Sequence, residues 1–354
     1  MSIRVLLVDD SFFMRKLVSD IIKKDPELEV IGVAKNGKEA IELNRSLEPD
    51  VILLDVEMPV VDGLEALEQI MAQRRCPVIM FSSTTVSGAE NTVRALELGA
   101  CDFIPKPSSS TFKLEDEVID EIIAKLKFSR CTEALSIKKK ASAVPAASPA
   151  PAARRTGTGY GKKSFKKLVS IGISTGGPKA LQEVMEDLPG DLNAPILVVQ
   201  HMPKLFTKAF ADRLDTHCQI RVKEAEHGDV LEAGTVYIAP GDKHLRVKEG
   251  PGELKILLDE GEKVSGHRPS ADAMFESLLE VKSVQIVAVI MTGMGRDGAE
   301  GMLKLRKKGA KTIGQDEKTS VVYGMPKSAF ELGAVEVVCP LDKIADEIIR
   351  SVEE

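Results

Sequence analysis

Three residues whose types cooperate in acyl transfer follow three strongly apolar runs in the C-terminal half of this chain. Ser174 follows Leu168 to Ile173, His201 follows Pro195 to Gln200 in "PILVVQHMP", and Asp297 comes shortly after Gln285 to Met291 in "VQIVAVIMTGMGRDGAEG". A hydroxyl, an imidazole and a carboxylate are the parts of a serine nucleophile, its general base and the group that orients the base. If the three runs are neighbouring strands, one edge of a sheet presents all three.

Each residue also has a plainer reading. The stretch "GISTGG" matches G-x-S-x-G, yet a strand-to-helix turn needs small residues there whether or not the serine reacts. A lone histidine after a strand can be structural, and an aspartate before "GAEGMLKLRKKG" can cap a helix. A phosphate cradle is the third reading of the glycine loop. It is weakened because Pro178 removes an amide donor and neither G-x-x-x-x-G-K-[ST] nor the full G-x-G-x-x-G spacing is present. Jointly the three residues favour the triad, since chance seldom puts all three types at strand ends. Their chain order is Ser, His, Asp, whereas α/β-hydrolases run Ser, Asp, His, so the expected fold is a different parallel sheet with a convergent triad. His217, His227, His244 and His267 stand in more polar, loop-like surroundings with no strand delivering them.

A second constellation lies in the N-terminal half. Asp9 and Asp10 follow the run Ile3 to Val8, Asp55 ends Val51 to Leu54, Ser82 and Ser83 follow Val78 to Phe81, and Lys106 comes just after Asp102 to Ile104. Three crowded carboxylates repel one another unless a hard divalent cation such as Mg²⁺ sits among them. That cation and the lysine would neutralise an incoming phosphoryl group and leave one carboxylate to attack it. Any one of these aspartates alone reads as a helix cap, and a lone Lys-Pro as a turn.

The elements that position these groups alternate regularly. In the first half, five apolar runs, including Glu29 to Ala34, alternate with helical patterns such as Met14, Leu17, Val18, Ile21 and Ile22. This predicts a five-stranded parallel, doubly wound α/β domain over residues 1–128. The second half, 165–354, predicts another α/β domain with a mainly parallel sheet. Within it, "GTVYIAP", "HLRVKE" and "LKILLDE" are read as antiparallel hairpins at an edge or flap. Between the two, residues 129–164 are read as a flexible linker. Ser129 to Lys167 holds ten Lys/Arg against one Glu in a chain of net charge −6, and its centre, "ASAVPAASPAPAARRTGTGYG", lacks apolar periodicity. That charge is assigned to solubility and spacing rather than to nucleic acid, because no groove-reading motif accompanies it.

With 43% apolar and 29% charged residues in 354, two soluble globular domains are expected. No run approaches the roughly 20 apolar residues of a membrane span, and the first is too short and too soon followed by acids for a signal peptide. Cys76, Cys101, Cys131, Cys218 and Cys339 include no C-x-x-C pair, which points to a reduced, cytoplasmic protein without a zinc site.

The motifs also carry resemblances. "LLVDDS", "VILLDVEMPVVDGLEAL", "VIMFSS" and "GACDFIPKP" resemble the receiver domain of bacterial two-component response regulators over roughly residues 2–125. That resemblance implies Asp55 as phosphoacceptor, Mg²⁺ held by Asp10, Asp55 and the backbone carbonyl of Glu57 with Asp9 assisting, and Lys106 on the phosphoryl group. Ser82 and Phe103 fall at the hydroxyl and aromatic switch positions. "SIGISTGGP", "QHMP", "HRPSADAMFESL" and "IMTGMGRDGAEGM" resemble the catalytic domain of chemotaxis protein-glutamate methylesterases. This second resemblance implies Ser174 as nucleophile, His201 as base and Asp297 as its orienter. The turns at Thr175 and Met294 become candidates for oxyanion stabilisation, and Arg268 matches a segment near the substrate. The implied activity is phosphorylation-activated hydrolysis of glutamate γ-methyl esters on chemoreceptors, with deamidation of receptor glutamines by the same chemistry. The chemotaxis histidine kinase is the implied phosphodonor, an unphosphorylated receiver is implied to cover the active site, and the hydrolase step needs no metal. A phosphorylation-controlled receptor-binding module is the alternative. A DNA-binding regulator is disfavoured, as helix-turn-helix and basic output domain are both missing.

Overall fold

The computed structural model describes residues 2–106, 118–127 and 164–354; the expected linker, apart from Ser164, and Cys131 lie outside them. The chain divides into two compact units, Met1–Ser142 and Ala143–Glu354. Among the described residues no helix is long and apolar enough to cross a membrane.

In the first unit the apolar runs form β1 (Ile3–Val8), β2 (Leu28–Ala34), β3 (Val51–Asp55), β4 (Val78–Ser82) and β5 (Asp102–Pro105). They make one parallel sheet in the order β2-β1-β3-β4-β5. The connecting helices are α1 (Phe12–Ile22), α2 (Gly37–Leu47), α3 (Gly63–Gln73) and α4 (Val86–Leu98), with α5 over residues 118–127. β3 and β4 are buried along their whole length, which is why they read as unbroken apolar runs rather than alternating ones. Val18, Ile21 and Ile22 of α1 and Ile122 and Leu126 of α5 pack with Val5, Leu53, Phe81 and Ile104 in one core. Because the strand order reverses between β1 and β3, their carboxyl ends open side by side, where ligands of such sheets bind.

The second unit contains β6 (Lys167–Ile173), α6 (Gly177–Glu186), β7 (Ile196–Gln200), α7 (Phe206–His217), β8 (Arg221–Glu224) and β9 (Thr235–Ile238). The hairpin β10 (His244–Gly250) and β11 (Glu253–Asp259) follows, then α8 (Ala271–Ser277), β12 (Gln285–Ile290), α9 (Ala299–Lys307), β13 (Lys311–Gln315), α10 (Met325–Glu331), β14 (Val337–Cys339) and α11 (Leu341–Glu353). Seven strands form a single parallel sheet ordered β14-β13-β12-β6-β7-β9-β8. β6 lies between β12 and β7, and the chain leaves it first toward β7 and later, through β12, toward β14. The reversal puts the carboxyl ends of β12, β6 and β7 next to one another. Met274 and Phe275 of α8 pack with Ala288, Ile290, Met302 and Leu305 beneath that edge.

Two details depart from expectation. "GTVYIAP" is no hairpin arm: it is β9, parallel to both β7 and β8. All four of its residues are buried, and a parallel neighbour on each side makes it an inner strand rather than an edge. The alternating segments "HLRVKE" and "LKILLDE" do pair antiparallel, from His244 opposite Asp259 to Gly250 opposite Glu253. His244, expected in a loop, is the fully buried first residue of β10, and its Nε2–H donates to the Glu262 carbonyl at 2.9 Å.

Candidate functional sites

The C-terminal constellation is assembled from three adjacent strand ends. The Ser174 amide donates to the Thr292 carbonyl beyond β12 at 2.9 Å, and the His201 amide donates to the Ile173 carbonyl at the end of β6 at 3.1 Å. Beyond Ser174 the backbone turns sharply into α6: Gly176 has φ +72°, and a Cβ there would meet Val321 Cβ at 2.5 Å. A residue other than glycine is therefore blocked by both conformation and space. The half-buried Ser174 hydroxyl thus stands at the head of a strand-turn-helix.

Ser174 Oγ lies 3.1 Å from His201 Nδ1, and His201 Nε2 lies 2.8 Å from Asp297 Oδ2. Asp297 is 1% exposed and accepts three further hydrogen bonds: from Ser270 Oγ at 2.6 Å and the Asp272 amide at 3.0 Å on Oδ1, and from the Ala271 amide at 2.6 Å on Oδ2. Burial, the largest influence, would raise its pKa, but the hydrogen bond and charge of His201 and the bonds from Ser270 and Asp272 outweigh it and hold the carboxyl at about 2. An ionised Asp297 fixes the imidazole tautomer with the proton on Nε2. The lone pair of Nδ1 then faces the serine hydroxyl. This ring presentation is the reverse of the familiar serine-protease triad, where Nε2 faces the serine.

Several residues that sequence reasoning passed over support this arrangement. Ser270 caps α8 while donating to Asp297. The cap signal, a serine ahead of "ADAMFESL", was legible, but its second task was not. Asp272 accepts from the Gly301 amide at 2.7 Å and from Ser265 Oγ at 2.9 Å; burial pushes its carboxyl up, with the charge of Asp297 adding to the effect. Gln200, a buried amide ending an apolar run, donates to the carbonyls of Ser174 and His201 at 3.0 and 3.2 Å. His267, expected in polar, loop-like surroundings with no strand delivering it, stacks on His201 with ring centroids 3.9 Å apart and planes 18° apart. Arg268 sends Nη1 to the carbonyls of Glu260 and Gly261, both at 2.8 Å. Thr175 and Met294 sit in the two turns flanking Ser174, and the second turn comes so close that a Cβ on Gly293 would lie 2.8 Å from Ser174 Cβ.

At the N-terminal sheet edge, Asp9 and Asp55 are buried and Asp10 is exposed, with one carboxylate oxygen of each within 4.8 Å of the others. Lys106 Nζ bridges Asp9 Oδ2 at 2.9 Å and Asp55 Oδ2 at 2.8 Å. The remaining oxygens accept backbone amides, Asp9 Oδ1 from Ser11 and Asp55 Oδ1 from Glu57. Burial pushes Asp55 up to about 6, opposed by the Lys106 charge and reinforced by Asp9. Burial would lower Lys106, yet the two carboxylates outweigh it and raise it. One ammonium therefore does not neutralise the buried acids. An all-oxygen donor set with uncompensated negative charge fits a hard cation such as Mg²⁺. Nearby, Ser82 Oγ donates to the Gly88 carbonyl at 3.1 Å, and Phe103 is buried with Lys125 Nζ 5.3 Å from its ring centre.

A parallel sheet with an acidic carboxyl edge is thus followed in the same chain by an α/β unit with Ser, His and Asp joined at its strand ends. Family models agree with both halves: the response regulator receiver domain matches residues 5–118 and the CheB methylesterase matches residues 169–348. The chain belongs to the CheB methylesterase family. It is 47% identical over 365 residues to the protein-glutamate methylesterase/protein-glutamine glutaminase of Geobacillus kaustophilus, covering 100% of this chain and 99% of the relative. The Pyrococcus horikoshii protein of the same name is 49% identical over 360 residues, covering 99% of this chain and 94% of that one. The crystal structure of the Thermotoga maritima CheB methylesterase catalytic domain, at 44% identity and TM-score 0.52, matches 54% of this chain and 100% of its own.

Proposed function

We propose that this chain hydrolyses γ-glutamyl methyl esters on methyl-accepting chemoreceptors, with Ser174 as nucleophile, His201 as base and Asp297 as orienter. The single observation that carries the reading is the hydrogen-bonded chain from Ser174 Oγ through His201 to the buried Asp297. Ser174 Oγ attacks the ester carbonyl while its proton passes to His201 Nδ1, and the ionised Asp297 on Nε2 stabilises the imidazolium. Amides of the turns at Thr175 and Met294 stabilise the oxyanion. As the tetrahedral adduct collapses, methanol leaves with the proton from Nδ1. Water then gives a proton to Nδ1 and attacks the acyl-enzyme, releasing glutamate and restoring the serine. A receptor glutamine enters the same sequence with ammonia as the leaving group. The names of the relatives support both activities, whereas a pure binding module has no use for so complete a proton relay.

Asp55 is the phosphoacceptor in this reading, and the chemotaxis histidine kinase its donor. Asp10, Asp55 and the Glu57 carbonyl, with Asp9 assisting, would hold Mg²⁺, which supplies charge neutralisation for the incoming phosphoryl group. Lys106 pairs with that group, and Ser82 and Phe103 respond to it.

The test is methanol release from receptor membranes carrying radiolabelled methyl groups, with and without a small phosphodonor and Mg²⁺. Release by the wild type should rise roughly 5- to 150-fold with the donor, the usual span of a coupling between two sites. Asp55→Asn should stay at the basal rate in both conditions; a variant that responds to the donor like the wild type would remove Asp55 from the switch. Gly293→Ala examines the serine's surroundings separately. The Gly293 carbonyl accepts the Gly324 and Met325 amides and its own amide donates to Val322, so the backbone cannot retreat from an added methyl group. Displacement of Ser174 should lower kcat roughly 100-fold. Unchanged turnover in this variant would show that the turn is not packed against the nucleophile.

A further inference from the structure

We infer that His267 is a positioning residue for the general base: its ring, stacked on His201, holds the imidazole in the orientation that presents Nδ1 to Ser174. The inference rests on the hydrolase reading above and deepens it.

A hydrogen bond from Nε2 to Asp297 gives His201 an anchor but not an orientation. The last torsion of a histidine is broad and roughly two-fold, so the ring can tilt about the Nε2–Asp297 contact and swing Nδ1 out of line with the serine hydroxyl. A constraint on the ring face stops that tilt. The His267 ring supplies it, with centroids 3.9 Å apart and planes only 18° from parallel.

The segment carrying His267 is built to hold it there. Val264 and His267 exchange backbone hydrogen bonds at 3.1 and 3.0 Å around a two-residue turn, Ser265 and Gly266, with φ of 53° and 80°. Two successive positive φ values make this the tight turn that suits a short hairpin. The turn is tied down twice, by Ser265 Oγ donating to Asp272 Oδ2 at 2.9 Å and by Arg268 Nη1 donating to the carbonyls of Glu260 and Gly261. The chain then runs straight into Ser270, Ala271 and Asp272, whose hydroxyl and amides bind Asp297. A single stretch, Val264 to Asp272, therefore sets both the carboxylate at one edge of the imidazole and the ring over its face. Arg268 acts here through its neighbours, as the strut that keeps His267 against His201.

The experiment compares wild type, His267→Ala, His267→Phe and Ser174→Ala as full-length proteins, in methanol release from radiomethylated receptor membranes with saturating phosphodonor and Mg²⁺, over a range of receptor concentrations. Loss of ring orientation should lower kcat by about 10- to 100-fold in His267→Ala with KM little changed. His267→Phe, which restores a flat ring without a titrating nitrogen, should recover most of that loss. Thermal melts of each variant keep all assays below the unfolding transition. The inference is overturned if His267→Ala turns over like the wild type, if its loss lies in KM, or if His267→Phe is folded yet as slow as the alanine variant. Ser174→Ala separates the two claims: its inactivity leaves the hydrolase reading standing whatever His267 does, and its activity would remove that reading first.

Discussion

Alanine at Ser174 is expected to abolish methanol release from methylated receptors, a loss of roughly 10⁶-fold in kcat, the scale on which removal of a triad nucleophile acts. Neither cysteine of the C-terminal unit is a ready substitute for the serine. Burial pushes the Cys218 thiol up to about 12 and the Cys339 thiol up to about 11, so neither is a thiolate near neutrality. The substitution removes one hydrogen bond, to His201, and leaves the turn unaltered. Stability should fall by no more than about 1 kcal/mol, so the inactive protein remains folded. The check is release from radiomethylated membranes alongside a thermal melt. Release equal to the wild type would remove the nucleophile assignment, and with it the esterase mechanism.

Asparagine at Asp297 should be nearly as damaging to turnover, by roughly 10⁴-fold, because the change falls on the tautomer of the base. The carboxylate accepts four hydrogen bonds, two on each oxygen. An amide offers only one oxygen, so its NH₂ must face a pair of donors. Placed on the Oδ2 side, it confronts the Ala271 amide and drives His201 to carry its proton on Nδ1, where a base cannot accept one from the serine. Placed on the other side, it confronts Ser270 and the Asp272 amide. Either way a buried donor loses its acceptor, which should destabilise the unit by about 1–3 kcal/mol. In the wild type the folded pKa of about 2 lies below the ordinary 3.8, so this carboxylate's stabilisation is complete above the ordinary value and is lost as pH falls through 2. Acid loss of the stability difference between wild type and variant in that window, followed by denaturation at several pH values, checks the assignment. An Asp297→Asn protein with wild-type turnover at neutral pH would show that the base needs no charged orienter.

Both sheets were legible because strands buried on two faces must be apolar throughout, and most of the functional side chains stand at or just beyond the ends of such runs, Asp297 farther out in the turn after β12. β3 with Asp55 and β7 with His201 are plain cases. The same rule concealed β9, whose four residues look like an edge hairpin until β8 and β7 are seen on either side. The hairpin β10–β11 announced itself by alternation. What escaped were the residues whose role depends on packing between distant segments. Nothing around His267 signals a partner sixty-odd residues earlier in the chain, and the polar sequence about it describes the turn it sits on. Ser270 showed its cap but not its hold on Asp297. Arg268, whose segment resembles one near the substrate, showed nothing in sequence of the two loop carbonyls to which its Nη1 donates.

In the proposed mechanism, the placement of Ser174, His201 and Asp297 beyond the ends of β6, β7 and β12 also governs when activity can first exist. His201 and Asp297 are separated by 96 residues, and β12 pairs with β6 only after the whole segment between them has been made. At translation rates of about 5–20 residues per second, a nascent chain therefore carries its serine and histidine for roughly 5–20 s before the carboxylate emerges. During that interval the nucleophile has no oriented base. Catalytic competence is in this sense a late-arriving property of the polypeptide, and a truncated or nicked product ending before β12 would be hydrolytically silent.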